Sequence, residues 1–173
     1  MDDFSANVSY DRGMRILGID PGIGRTGWGI IDTDGQKSTV VAYGCIETEP
    51  KSETPGRLFA LYDEVTNIMK EYSPEAFSIE DLFFNKNVTT ALTVGQARGV
   101  IILAAVQHNL PVAVYTPLQV KMALTGYGRA EKSQVGKMVQ LILKLPKIPT
   151  PDDTADALAI ALTHGMSYKM KRK

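Results

Sequence analysis

The sequence predicts a single α/β domain: a five-stranded mixed sheet, three antiparallel strands plus parallel strands, flanked by helices. Three observations predict it. Three apolar runs near the start are separated only by turn signals, which suits an antiparallel meander. Two later apolar runs alternate with stretches of helical periodicity, which suits parallel strands joined by right-handed crossovers. The remaining third of the chain carries only helical patterns.

The elements follow in order. Arg15–Asp20 reads as a strand closed by Asp20-Pro21-Gly22, and Thr26–Asp32 as a second strand that turns at Asp34-Gly35. Ser38–Thr48 is the third. Thr54–Tyr72 places Leu58, Leu61, Tyr62, Val65, Ile68 and Met69 at helical spacing. Ala76–Glu80 is a fourth strand, Val88–His108 a long helix, and Val112–Thr116 a fifth strand. Helices are expected over Pro117–Leu124, Ala130–Leu145 and Asp152–Tyr168. The first strand is expected parallel to the fourth and fifth, with their carboxyl ends on one edge, where α/β sheets bind ligands.

Composition narrows the class. The chain has 173 residues and is 44% hydrophobic, enough to bury the core of one domain. No apolar run reaches the ~18 residues of a membrane span. Cys45 is the only cysteine, so a disulfide framework is excluded, and it reads as a buried strand residue. The first residues are polar and contain no signal-peptide core. These features predict a cytoplasmic protein. Residues 1–13 read as a leader or expression remnant, 14–168 as the folded domain and 169–173 as a basic tail. Net charge is zero, yet from Pro117 onward ten Lys and Arg face only four Asp and Glu. A basic region beside an acidic pocket suits an enzyme acting on phosphates.

The acids carry the chemistry. Asp20 ends the first strand and Glu80 the fourth, so the predicted topology sets them side by side. Two carboxylates at one sheet edge repel unless a cation lies between them. Magnesium, a hard ion, takes such carboxylates together with phosphate oxygens and water. A third contribution comes from the start of the last helix. There Asp153 and Asp156 fall about 60° apart and Asp152 and Asp156 about 40° apart, so spacing leaves the choice between Asp152 and Asp153 open. Either of those two also suits a helix cap. Asp156 is the more informative, because an acid inside an apolar helix needs a partner or a metal.

Five ordered blocks resemble one family: Ile19-Asp20-Pro21-Gly22 with Thr26-Gly27-Trp28-Gly29, Ile79-Glu80, Gly95-Gln96-Ala97-Arg98-Gly99, Ala130-Glu131-Lys132-Ser133-Gln134-Val135, and Asp153-Thr154-Ala155-Asp156-Ala157-Leu158-Ala159. They look like the successive motifs of the RuvC resolvases, crossover junction endodeoxyribonucleases of the RNase H-like superfamily. The resemblance runs from about Met14 to about His164. It implies an RNase H-like fold and catalytic, metal-binding acids at Asp20, Glu80, Asp153 and Asp156, choosing Asp153 over Asp152. It implies two Mg2+ ions per site, with Mn2+ as a substitute, and paired nicks in four-way (Holliday) junctions during recombination and repair. It further implies basic groups at Lys121 and Lys132 that bind phosphate or assist catalysis, and partners in the RuvAB branch-migration complex. Asp81, next to Glu80, is expected to point away from it by strand alternation.

Two further features bear on DNA. Phe83 and Phe84 leave the fourth strand into a Lys/Asn-rich loop, as aromatics that stack on unpaired bases do; the resemblance singles out Phe83 as a wedge in the junction. Val100–Val106 is apolar on every side, which asks for cover from a second surface. A C2 homodimer supplies that cover and matches a two-fold junction. His108 and His164 read as ordinary helix residues. The alternatives are an RNase H-like nuclease acting on RNA and a non-catalytic junction-binding protein; the second gains nothing from four acids facing phosphate. A sugar-kinase or actin-like phosphate binder would need a second domain.

Overall fold

The computed structural model describes residues 13–81 and 88–170, side chains of 88–90 and 168–170 excepted. The leader as far as Arg12, Phe83 with Phe84, and the tail from Lys171 lie outside the described residues. The elements are β1 (Met14–Asp20), β2 (Arg25–Thr33), β3 (Ser38–Glu47), α1 (Thr54–Tyr72), β4 (Ala76–Glu80), α2 (Val88–Gln107), β5 (Val112–Tyr115), α3 (Pro117–Thr125), α4 (Lys132–Ile142) and α5 (Asp152–Met170). They form one sheet in the order β3-β2-β1-β4-β5. The first three strands are the expected antiparallel meander, and β4 is parallel to both β1 and β5.

Strand alternation divides the core into two layers. Ile16, Ile31 and Ala76 face α5 and join Leu158, Ile160 and Leu162 there, with Val120, Val135 and Val139 from α3 and α4. Leu17, Ile19, Ile30, Phe77 and Ile79 face the other way and pack on Leu61 and Val65 of α1 and on Ala97, Ile101 and Ala104 of α2. Burying each such Leu or Ile contributes roughly 1.5–3 kcal/mol. The central position of β1 and β4 follows: both are covered on both faces, and both read as near-continuous apolar runs.

Helix α5 lies directly on the sheet because glycine lines its path. A Cβ on Gly18 would run into the backbone of Ala157 and Ala161, and one on Gly27 into the backbone of Asp153. Any side chain at these two positions would lift the helix.

The ends of the elements show local chemistry. At the start of α3, Gln119 N–H donates to Thr116 Oγ1 (3.2 Å) and Thr116 N–H to Gln119 Oε1 (2.8 Å), a reciprocal cap. Gly126 ends α3 in the left-handed region (φ 71°). At α4, Glu131 N–H donates to Gln134 Oε1 (2.8 Å). The helix is shorter than expected at both ends. Ala130 N–H is taken by the Tyr127 carbonyl in a preceding turn, and Lys144 has φ 53°. Cys45 is half-buried rather than buried. Helix α2 buries Ala97, Ile101, Ala104 and Ala105 but leaves Leu92, Leu103 and Val106 more than half exposed, so one of its apolar faces is open in the single chain.

Candidate active site

The sheet sets the first two acids. Ile19 of β1 pairs with Ile79 of β4, so Asp20 and Glu80 emerge together at the carboxyl ends of neighbouring parallel strands. Each shares the parity of the residues that face α5. The turn after Asp20 is fixed by Thr26, whose hydroxyl donates to the Gly22 carbonyl (2.5 Å) and accepts from Gly22 N–H (3.3 Å). Arg57 braces the same turn, donating to Thr48 Oγ1 (2.8 Å) and to the Ile23 carbonyl (3.3 Å). Arg98 of α2 holds the end of β4 by donating to the Glu80 carbonyl (3.1 Å). Its Nη2 lies 3.7 Å from Asp81, so Asp81 points to the α2 side, away from Glu80, as alternation requires.

The first turns of α5 bring the other acids. Asp156 is flanked by the buried Ala155, Ala157 and Leu158, and its side chain is 24% exposed. With Asp20, Glu80, Lys121, Lys132, Pro117, Val120, Val135 and Ile160 it lines an open cleft of about 290 Å³. Lys121 comes from α3 and Lys132 from the start of α4. Asp153 lies at the margin: it is not on the wall of this cleft, and its Oδ2 is 3.3 Å from Arg25 Nε at the start of β2. That oxygen is buried and receives no hydrogen bond. The contact with Arg25 is therefore an ion pair lacking hydrogen-bond alignment.

The carboxylates disturb one another. Burial, then the charges of Glu80, Asp156 and Asp153, push Asp20 up to about 8, with Lys132 opposing. Burial and then Asp156 raise Glu80. Burial raises Asp156, against the hydrogen bond from Lys132. Lys132 Nζ lies 2.6 Å from Asp156 Oδ2 and 2.7 Å from Asp152 Oδ2. Burial works against its charge, but these two partners override it and raise its pKa, while Lys132 lowers that of Asp152. A cluster of oxygen donors whose protons are held this firmly is short of positive charge.

The donor chemistry fits a hard divalent cation: carboxylates only, two on rigid strand ends and two on one helix, with an orphaned oxygen on Asp153. Among the described residues no three acids already stand at metal-ligand spacing; the ammonium of Lys132 sits beside Asp156 instead. Of the expected residues, then, the structure brings Asp20, Glu80, Asp156, Lys121 and Lys132 to one cleft and Asp153 to its edge. His164 lies two turns beyond Asp156 on α5, with Nδ1 2.9 Å from the Tyr115 hydroxyl. No role was expected for Arg25 or Arg98, and Asp152 was an alternative to Asp153 or a helix cap, with no pairing to Lys132 foreseen. Arg98 was visible only as part of a motif, and the partners of Arg25 and Asp152 come from distant segments.

A mixed sheet of order 3-2-1-4-5, with acids at the ends of its two central strands and on the helix laid across it, defines a nuclease of the RNase H-like class. The model of the RuvC crossover junction endodeoxyribonucleases matches residues 16–164, and the chain belongs to that family. It is 54% identical over 160 residues to the RuvC of Pelotomaculum thermopropionicum, covering 92% of this chain and 98% of that protein. To the RuvC of Brevibacillus brevis it is 55% identical over 151 residues, covering 87% and 91%. Among solved structures, Thermus thermophilus RuvC in complex with Holliday junction substrate superposes with a TM-score of 0.87 at 38% identity, covering 91% of this chain and 96% of that one. The yeast mitochondrial resolvase Ydc2 shares the fold, with a TM-score of 0.67 at 15% identity.

Proposed function

We propose that this chain resolves four-way DNA junctions by hydrolysing one phosphodiester in each of two strands, with the cleft of Asp20, Glu80 and Asp156 as the active site. The observation that carries this is the meeting of those acids with Lys121 and Lys132 in one open cleft. The Thermus thermophilus relative, in complex with Holliday junction substrate, supports the choice of DNA.

Asp20, Glu80, Asp153 and Asp156 would hold divalent cations, Mg2+ with Mn2+ as a substitute, two per site. When bound, such ions supply an activated water and charge stabilisation for in-line phosphoryl displacement. The chain itself does the rest. Asp20 and Glu80, fixed on strand ends, present oxygen donors that cost little to organise. Lys121 and Lys132 attract the scissile phosphate and stabilise the charge that develops on it. Val120, Val135 and Ile160 form the apolar part of the cleft wall. Phe83, beyond β4, is assigned to the junction, stacking on an unpaired base.

The exposed Leu92, Leu103 and Val106 of α2 are assigned to a homodimer, which would offer two active sites to a two-fold junction. The functional unit is assigned to 14–168, with 1–13 as a leader or expression remnant and 169–173 as a basic tail. Cytoplasmic location and work alongside the RuvAB branch-migration complex complete the reading; among the described residues no helix is long and apolar enough to cross a membrane. The test is direct: incubate the protein with synthetic four-way junction, duplex and RNA–DNA hybrid, with and without Mg2+. Symmetric nicks in the junction alone, only with Mg2+, are expected. Preferential cutting of the hybrid would overturn the assignment of substrate.

A further inference from the structure

We propose that Asp152 is a positioning residue that shares the ammonium of Lys132 with Asp156 and thereby leaves Asp156 available to a divalent cation. The inference rests on the reading of the cleft as a cation site and deepens it. Lys132 Nζ stands almost equally far from two carboxylate oxygens, 2.6 Å from Asp156 and 2.7 Å from Asp152. The two acids differ in setting. Asp156 faces the cleft and is 24% exposed; Asp152 stands outside it and is 61% exposed. Asp152 is therefore an outer anchor for the lysine. It is not a ligand.

The consequence is a competition. An ammonium hydrogen-bonded to a carboxylate occupies the oxygen that a cation would take. With Asp152 present, Lys132 retains a charge-assisted bond when it leaves Asp156, and it stays at the mouth of the cleft, where a phosphate arrives. Without Asp152, the ammonium has Asp156 as its sole partner of the two, and an incoming cation must displace it outright. Spacing along α5 conceals this role, because Asp152 and Asp153 are alike as helix-starting acids. Tertiary packing separates them: Lys132 of α4 reaches Asp152, and Arg25 of β2 reaches Asp153.

A double-mutant cycle read by Mn2+ binding alone tests this, using electron paramagnetic resonance or calorimetry on the full chain. The direct effect of the Asp152 charge on a cation is common to both backgrounds and cancels in the cycle. Lys132 and Asp152 are both more than half exposed, and a thermal melt of each variant checks that it folds. Asp152→Asn should weaken Mn2+ binding by at least about threefold, the scale of coupling between contacting residues. In the Lys132→Met background the same change should weaken binding by at least about twofold less than in the unaltered background, the difference being the coupling through Lys132. Equal weakening in both backgrounds would show that Asp152 acts on the cation directly or through the helix end, and would overturn the inference. No weakening in either would also overturn it. Absence of Mn2+ binding by the unaltered chain would overturn the reading of the cleft itself.

Discussion

Gly27 and Asp153 touch backbone to backbone: a Cβ on Gly27 would overlap the Asp153 carbonyl. The first turn of α5, with its acids, is thus seated on β2 by the absence of one carbon. Gly18 does the same for Ala157, one residue past Asp156. The relative placement of the strand acids and the helix acids depends on these two contacts.

Gly27→Ala should therefore injure both catalysis and stability. Overpacking of this kind costs about 1–3 kcal/mol, read as a lower Tm. A displacement of about 1 Å at a reacting centre costs on the order of 10²-fold in rate. The expected outcome is a folded protein whose single-turnover cleavage falls at least about tenfold. Wild-type cleavage in a folded Gly27→Ala protein would show that α5 tolerates the shift.

The contribution of Asp20 to stability without metal should fall as pH rises. Asp20 has an ordinary value of 3.8 and is pushed up to about 8. Between those values the unfolded chain has released this proton and the folded chain retains it, so the slope of stability against pH is negative. The penalty is absent below about pH 4 and complete above about pH 8. Asp20→Asn removes it. In EDTA at pH 8 that variant should melt several degrees above the unaltered chain, given a few degrees per kcal/mol at this size, and the two should converge toward pH 4. Calorimetric melts across pH measure this; an Asp20→Asn protein that melts lower at pH 8 would contradict it.

Much of this site was legible because the signals are local. Glu80 closes a five-residue strand that follows Ser73-Pro74, and Asp20 precedes Pro-Gly. Once the crossover handedness is given, their adjacency follows. Helix α1 and strand β4 match expectation to the residue, since Pro55 fixes the start of α1 and Pro74 stands just beyond its end. The limits of α4 were not legible, because the Tyr127 carbonyl that captures Ala130 N–H belongs to a turn with no hydrophobic period. The pairing of Lys132 with Asp152 was not legible either. It joins segments 20 residues apart in sequence whose approach depends on the packing of α3, α4 and α5.

The open face of α2 makes a separate prediction about assembly. Leu103 and Val106 are 52% and 51% exposed, and burying the exposed half of each against a partner contributes on the order of 1 kcal/mol per side chain. Sedimentation at micromolar concentration should give two chains. Leu103→Lys should shift it toward one chain while leaving Tm of the monomer nearly unchanged, because this residue is open in the single chain. A monomeric unaltered protein would remove the dimer.

Binding and cutting should separate. Asp20→Asn removes an oxygen charge from the cleft but leaves Lys121, Lys132 and Phe83 in place. Two-metal hydrolysis should collapse, while affinity for a synthetic four-way junction should hold or rise, since less negative charge faces the phosphates. Phe83→Ala should behave differently. Its carboxylates are intact, so Mn2+ binding should match the unaltered chain. Cleavage of an intact junction should fall by about an order of magnitude or more if one stacked base, worth about 1–3 kcal/mol, is lost. Gel-shift and single-turnover assays on the same junction distinguish the two variants. A folded Phe83→Ala dimer that cuts at the unaltered rate would remove Phe83 from the mechanism. Loss of junction binding in folded Asp20→Asn protein would show that metal ions, rather than the lysines of the cleft, carry the affinity.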